Sequence, residues 1–314
     1  METILVTGGA GFIGSNLCEY LLKRGYKVKV LDNLATGNKN NISDFFTNPN
    51  FEYVYGDICD LEVLRQVCTN VNMICNLAAI PSVPRSIVNP LQSHKTNVDG
   101  FLNVLLVAKE KNIKRIVYAS SSSVYGDNKF LPKTENNIGK QLSPYALNKY
   151  INELYANLFG NLYGLEVIGA RFFNVFGPKQ DPSSPYSGVI SKFISNELNN
   201  KKSTINGKGD YSRDFTYIDN VTSFLHLALT TTNQECYGQV YNVGCGGNIS
   251  ILKLFQLITQ ILGNNNDPLF STERAGDVPH SCADISKAKN DLGYEVLKTF
   301  NQGILETVKY YKLH

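Results

Sequence analysis

The stretch Thr3-Ile4-Leu5-Val6-Thr7-Gly8-Gly9-Ala10-Gly11-Phe12-Ile13-Gly14 decides the fold. A short apolar run meets glycines at once, and behind them Leu17, Tyr20, Leu21 and Leu22 recur at helical spacing as far as Arg24-Gly25. This predicts a strand, a tight glycine turn and a helix. Gly8, Gly11 and Gly14 would let the backbone turn, approach a pyrophosphate and pack the helix on a sheet, while the helix start at Phe12 and Ile13 faces the phosphates. The glycine spacing departs by one residue from the commonest dinucleotide fingerprint. A second strand, Lys27 to Leu31, ends in Asp32, eighteen residues beyond Gly14. A carboxylate there would hold the adenosine ribose hydroxyls, with Asn33, Thr36 and Gly37 in the turn beside it. It would also oppose a 2'-phosphate, so NAD is preferred to NADP. The alternative is an Asp that only caps its own turn.

The pattern then repeats. A strand from Phe51 to Tyr55 leads to Asp57 and Ile58, expected at the adenine end, and a short helix spans Leu61 to Cys68. The strand Met73 to Leu77 ends in Ala78 and Ala79, small enough for a cofactor to pass over. One long helix is expected from about Pro90 to Asn112, then an apolar strand, Ile116 to Ala119, running into Ser120-Ser121-Ser122-Ser123-Val124-Tyr125-Gly126. Alternating β and α at this spacing implies an α/β fold with a doubly wound parallel sheet of the Rossmann type, whose ligands bind beyond the carboxyl ends of the strands. After the strand Leu165 to Arg171 and the stretch Phe172 to Pro178 the alternation fades into short helices and short strands. The expected organisation is an NAD-binding domain over 1–174 and a smaller mixed α/β lobe over 175–314, some of whose segments return to the first domain.

Ser143-Pro144-Tyr145-Ala146-Leu147-Asn148-Lys149 carries the chemistry. Ser143 suits an N-cap and Pro144 the first helical position, so Tyr145 and Lys149 share a face at a helix start. A tyrosine base near neutral pH must lose about three units from its reference pKa near 10. Lys149, the helix end and a second cation would act in that direction.

The 314 residues allow one large or two ordinary domains, each with a core. A net charge of +3 from dispersed residues recommends neither nucleic acid nor an anionic membrane as partner. The N-terminus has no basic segment followed by a long apolar run, and no later run reaches about 18 residues, so a soluble cytoplasmic protein is expected. Seven scattered cysteines without a Cys-x-x-Cys pair read as buried reduced thiols, and four scattered histidines make a metal site an unlikely use of this chain.

With these motifs in fixed order, the chain resembles the extended short-chain dehydrogenase/reductase family over its full length. Within it the nearest likeness is to nucleotide-sugar 4-epimerases, above all bacterial UDP-N-acetylglucosamine 4-epimerases, through Ser121 to Gly126, Leu142 to Tyr155, Arg171 to Gly177, Asp210 to Asn220 and Arg274 to Asp284. The resemblance implies bound NAD and a UDP-sugar substrate. It implies Tyr145 as the base at the sugar 4-hydroxyl, Lys149 on the nicotinamide ribose, and Ser121 on the reacting oxygen. It also places Ser122 and Ser123 near the sugar, Asn174, Arg213 and Arg274 at the diphosphate, Asp277 on the uridine ribose, and Ser281 at the sugar-pocket wall, and it suggests a homodimer. Related dehydratases carry an Asp-Glu pair, and decarboxylases a Glu, where this chain has Ser122 and Ser123, which cannot supply an extra acid and base at neutral pH. UDP-glucuronate epimerases tend to carry Thr at the place of Asn174. An N-acetylated or neutral sugar is therefore ranked above a uronic acid, with UDP-glucose/galactose and UDP-glucuronate epimerisation as alternatives. A non-catalytic NAD-binding sensor is the remaining class, and such relatives usually lack the Tyr or the Lys.

Overall fold

The computed structural model describes residues 1–183, 188–273 and 278–314. Six strands alternate with helices in the first half: β1 (Thr3–Thr7), α1 (Phe12–Leu22), β2 (Lys27–Asp32), β3 (Phe51–Tyr55), α2 (Leu61–Val67), β4 (Met73–Asn76), α3 (Val83–Val88), α4 (Pro90–His94), α5 (Gly100–Glu110), β5 (Arg115–Ser121), α6 (Pro144–Tyr163) and β6 (Glu166–Phe172). A seventh strand, Val240–Val243, joins the edge beside β6. All pairings in this sheet are parallel, in the order Val240–Val243, β6, β5, β4, β1, β2, β3. The chain winds one way from β1 through β2 to β3, then the other way from β4. The switch between β1 and β4 opens a crevice at the carboxyl ends of both strands, the position at which such sheets bind ligands.

Strand alternation builds two cores, one on each face of the sheet. Val6, Val30, Cys75, Val117 and Ile168 belong to one apolar cluster with Leu17 of α1 and Phe224. Their chain neighbours Leu5, Leu31, Ile74, Ile116 and Val167 belong to the other, with Phe101 and Leu105 of α5 and Phe159 of α6. β1 and β4 are buried along their whole length and read as continuous apolar runs, whereas β2 keeps Lys27 and Lys29 at its outer end.

The expected single helix from Pro90 to Asn112 is not regular. Between α4 and α5 the residues Lys95–Asp99 form a π-helical turn. The extra residue per turn brings Asn97 into the core, where its amide oxygen accepts from the Ile80 amide at 2.7 Å and its nitrogen donates to the Ile80 carbonyl at 3.1 Å. The irregularity thus fixes the segment that follows β4.

In the second half, the helix Ile218–Thr230 packs against α1 and β5, so it and the strand Val240–Val243 lie with the main sheet. The helices Val189–Leu198, Ile251–Leu262 and Phe300–Leu313 pack together with short two-stranded ladders away from it. The seven cysteines are unpaired; four are buried, but Cys59, Cys245 and Cys282 are partly exposed, which corrects the expectation of a wholly buried set. Among the described residues no helix is long and apolar enough to cross a membrane.

Candidate active site

The glycine turn stands at the β1 end of the crevice. Gly8 adopts φ +70°, and a Cβ there would lie 2.7 Å from the Ala78 nitrogen, so only glycine lets the turn pass this close to the end of β4. A Cβ on Gly14 would meet the Gly8 carbonyl oxygen at 2.2 Å, which fixes how tightly α1 packs on the turn. The N-cap of α1 is Gly11, without a side-chain cap. Its first-turn amides, at Phe12 and Ile13, therefore suit the oxygens of a pyrophosphate.

At the end of β2, Asp32 is 7% exposed. Its Oδ2 accepts from the Ala10 amide at 2.9 Å and its Oδ1 from the Leu34 amide at 2.8 Å. Burial nevertheless raises its pKa above the ordinary carboxylate value. The carboxylate thus caps its own turn, at the strand end where a ribose would be held. A Cβ on Gly37 would lie 3.1 Å from both Asp32 oxygens, so the absent side chain leaves room beside them. Asn33 donates to Oδ2 of Asp57 at 2.8 Å and ties this turn to the segment before Ile58. Thr36 is exposed, while Leu77, Ala78 and Ala79 line the end of β4 half-buried. An uncapped helix start, a carboxylate at the second strand end and a floor of small side chains fit a dinucleotide.

The helix α6 begins as its sequence predicts: the Ser143 side chain accepts from the Ala146 amide at 3.1 Å, and Pro144 occupies the first turn. Gly164, at φ 65°, ends it. The Lys149 ammonium is buried, lies 5.9 Å from the centre of the Tyr145 ring and donates to the Ala119 carbonyl at 2.8 Å. Burial pulls its pKa down to about 8, against an upward pull from Glu153. The Tyr145 phenol differs from expectation. Burial raises its pKa, and hydrogen bonding to Ser121 only partly opposes this. Lys149, the cation the spacing set beside it, is itself desolvated and engaged at Ala119. Ser121 Oγ also accepts from the Ser123 amide at 3.1 Å, capping the short turn Ser122–Tyr125.

Just beyond the end of β6, Asn174 sits at φ 32° and its side chain donates to the Asp214 carbonyl at 3.3 Å. Arg213 donates to the carbonyls of Ser212 at 2.9 Å and Pro279 at 3.1 Å. The Ser281 amide donates to the Ser212 carbonyl at 3.1 Å, so residues far apart in sequence meet along Ser212 to Asp214. Arg274 and Asp277 lie outside the described residues.

Two buried acids at the site have no counterpart in the sequence reading. The Asp214 carboxylate accepts from the amides of Cys245 (2.9 Å), Gly246 (2.9 Å) and Ala283 (3.0 Å), pinning two segments beside Asn174 and Arg213. Glu153 pairs with Arg171. The one available signal was Glu153 standing four residues after Lys149, on the same helix face.

Against known proteins, the description "NAD dependent epimerase/dehydratase family" matches residues 4–244. A putative UDP-glucose 4-epimerase of Methanocaldococcus jannaschii is 38% identical over 311 residues, 98% of each chain. Among solved structures, a UDP-N-acetylglucosamine 4-epimerase from Methanobrevibacter ruminantium in complex with UDP-N-acetylmuramic acid superposes with a TM-score of 0.94 at 36% identity, covering 99% of this chain and 98% of that one. The UDP-glucose 4-epimerase of Thermotoga maritima, solved with UDP-glucose, gives 0.93 at 35% identity, covering 99% of both chains.

Proposed function

The chain belongs to the NAD-dependent epimerase/dehydratase family, and from that premise we propose that it interconverts UDP-N-acetylglucosamine and UDP-N-acetylgalactosamine through a 4-keto sugar. The observation that carries this reading is the meeting of Tyr145, Ser121 and Lys149 at the strand ends, with serines rather than carboxylates at 122 and 123. Bound NAD supplies a hydride acceptor at C4 and, once reduced, a donor. Tyr145 takes the proton of the sugar 4-hydroxyl and later returns it, while Ser121 hydrogen-bonds the same oxygen. Burial pulls the Tyr145 pKa upward, and the charge of Lys149, with that of oxidised NAD when bound, would oppose that pull. Lys149 holds the nicotinamide ribose in this reading. Asn174 and Arg213, with Arg274 and Asp277, take the UDP moiety, and a guanidinium fork suits phosphate oxygens. The diphosphate then acts as a tether about which the keto sugar turns to present its other face.

The lobe over 175–314 provides most of this nucleotide-sugar site, while the helix Ile218–Thr230 and the strand Val240–Val243 serve the first domain. The exposed apolar side chains of Leu91 on α4 and of Leu154, Leu158 and Leu162 on α6 support a homodimer through these helices. Light scattering of the purified protein reads its mass directly, and a monomer at micromolar concentration removes the dimer. Proton NMR with UDP-glucose, UDP-N-acetylglucosamine and their uronic acids in parallel tests the substrate. Turnover confined to the plain hexoses or the uronic acids would replace the acetylated substrate with one of the two alternatives.

A further inference from the structure

Tyr145, Lys149 and Glu153 stand at successive four-residue steps on one face of α6. The end of β5 meets all three. Ala119 accepts from the Lys149 ammonium at 2.8 Å, the Ser120 hydroxyl donates to Oε1 of Glu153 at 2.5 Å, and Ser121 bonds the Tyr145 phenol. Arg171 of β6 closes on Glu153 from the other side as a two-pronged fork, Nε to Oε1 at 2.9 Å and Nη2 to Oε2 at 2.7 Å. Arg171 is itself fixed by the Glu135 carbonyl at 2.8 Å and the Tyr125 hydroxyl at 3.1 Å. The side chains of Glu153 and Arg171 are 5% and 3% exposed.

A buried ion pair of this kind gains little stability over apolar packing of the same volume, because both charges lose their water. This pair also leaves the count uneven. Lys149 and Arg171 are two buried cations, and Glu153 is the carboxylate between them. The other titratable groups around the cluster are Tyr145 on α6, Tyr118 on β5, Tyr125 in the turn after β5, Glu135 in the loop beyond it, and Lys287, a further cation on the far side of Arg171 and Glu135. All three phenols, and the Glu135 carboxyl, are shifted up by burial. Their neutral forms are thereby favoured, and none offers Lys149 the counter-charge that Glu153 does.

We propose that Glu153 is a positioning residue for Lys149: held by Arg171 and Ser120 one helical turn away, its carboxylate is the buried counter-charge that keeps the Lys149 ammonium at the Ala119 carbonyl beside Tyr145. This rests on the reading that Lys149 works next to Tyr145 in catalysis, but its test does not require turnover. The Lys149 pKa of about 8 lies close to the range in which a buried ammonium would lose its proton under working conditions. Removing the carboxylate leaves Arg171 as an unopposed like charge and lets burial act on Lys149 without its counterweight.

The experiment is a pH titration of cofactor-free protein carrying 13C-labelled lysine, with the Lys149 Cε signal assigned by its absence in Lys149→Met. In wild type the midpoint should fall near 8, and Glu153→Gln should lower it by at least about one unit. The alkaline limb of turnover should move down with it, while KM for the UDP-sugar changes by less than about threefold. Should Glu153→Gln fail to fold, Glu153→Gln with Arg171→Met removes both charges together, and its midpoint should still lie below that of wild type. A Lys149 midpoint unchanged in these variants, whatever their thermal stability, overturns the proposal and leaves Glu153 a structural residue. A shifted midpoint in a protein that turns over no UDP-sugar would keep this inference and discard the epimerase reading.

Discussion

The backbone amide of Tyr145 donates to Oγ of Ser86, 59 residues earlier in the chain, at 3.0 Å. The first turn of any helix leaves amides without partners. Here Ser143 takes the amide of Ala146 and Ser86 takes that of Tyr145, so α3 anchors the catalytic end of α6. Ser86 is fully buried. Ser86→Ala should therefore strand a buried donor and cost about 1 to 3 kcal/mol of stability, measured by urea unfolding of the cofactor-free protein. A cost near zero would mean that water replaces the hydroxyl at that amide.

Tyr145→Phe should lower turnover by at least about two orders of magnitude and leave the dissociation constant of the UDP-sugar nearly unchanged, since a positioned base acts in the transition state. Retention of near wild-type turnover would move the base to another group, such as Tyr125 or a serine.

The Lys149 titration has a consequence for stability whose sign is fixed. Its pKa falls from 10.5 to about 8 on folding, so between these values the unfolded chain binds more protons than the folded one, and folding is favoured increasingly as pH rises. Below about 8 both states are charged and the folded state bears the full desolvation cost. The stability of wild type minus that of Lys149→Met, in cofactor-free protein, should thus shift in favour of wild type from pH 8 to 10.5. A difference independent of pH over that window would place the Lys149 pKa near its ordinary value.

The protein should purify with NAD bound, and denatured protein should release nicotinamide dinucleotide into the supernatant. Gly37→Ala puts a methyl group 3.1 Å from both Asp32 oxygens, where a ribose would have to approach. Crowding of about 1 to 3 kcal/mol corresponds to roughly 5- to 150-fold weaker NAD binding, with the fold retained. Undiminished NAD content in Gly37→Ala would show that the ribose does not lie against Asp32.

Much of this architecture is legible in the sequence, for reasons that can be given residue by residue. Strands covered on both faces are apolar along their length, so β1, β4 and the Ile116–Ala119 part of β5 announce themselves, and the glycines and Asp32 mark where the turns must stay narrow. Ser143 and Pro144 set the start of α6 because capping is a local interaction. Contacts between distant segments are not legible in this way. Nothing near Asn97 signals the π turn, whose cause is the Ile80 backbone, and nothing near Asp214 signals that its carboxylate will gather the amides of Cys245, Gly246 and Ala283. The upward shift of Tyr145 is hidden from the sequence for a related reason. A helix end and a nearby lysine can be read from spacing, whereas the desolvation that outweighs them depends on the packed surroundings.

Ser281→Tyr tests substrate size. Ser281 is half-buried and joined to Ser212 beside Arg213. A ring at this position should exclude a 2-acetamido group that sweeps past the wall as the keto sugar turns, at an overpacking cost of about 1 to 3 kcal/mol. The catalytic efficiency on UDP-N-acetylglucosamine should fall relative to that on UDP-glucose by about tenfold or more. Equal loss on both sugars would show that this position does not gate size.

The central claim is that the hydride leaves C4 and returns to it within one active site. Proton NMR of the reaction of UDP-N-acetylglucosamine in D2O, without added cofactor, reads this directly. The account predicts UDP-N-acetylgalactosamine with a full-intensity proton at C4, because that hydrogen never exchanges with solvent. Deuterium at C4 or C5, a 6-deoxy-4-keto product, or strict dependence on added reduced cofactor would contradict it.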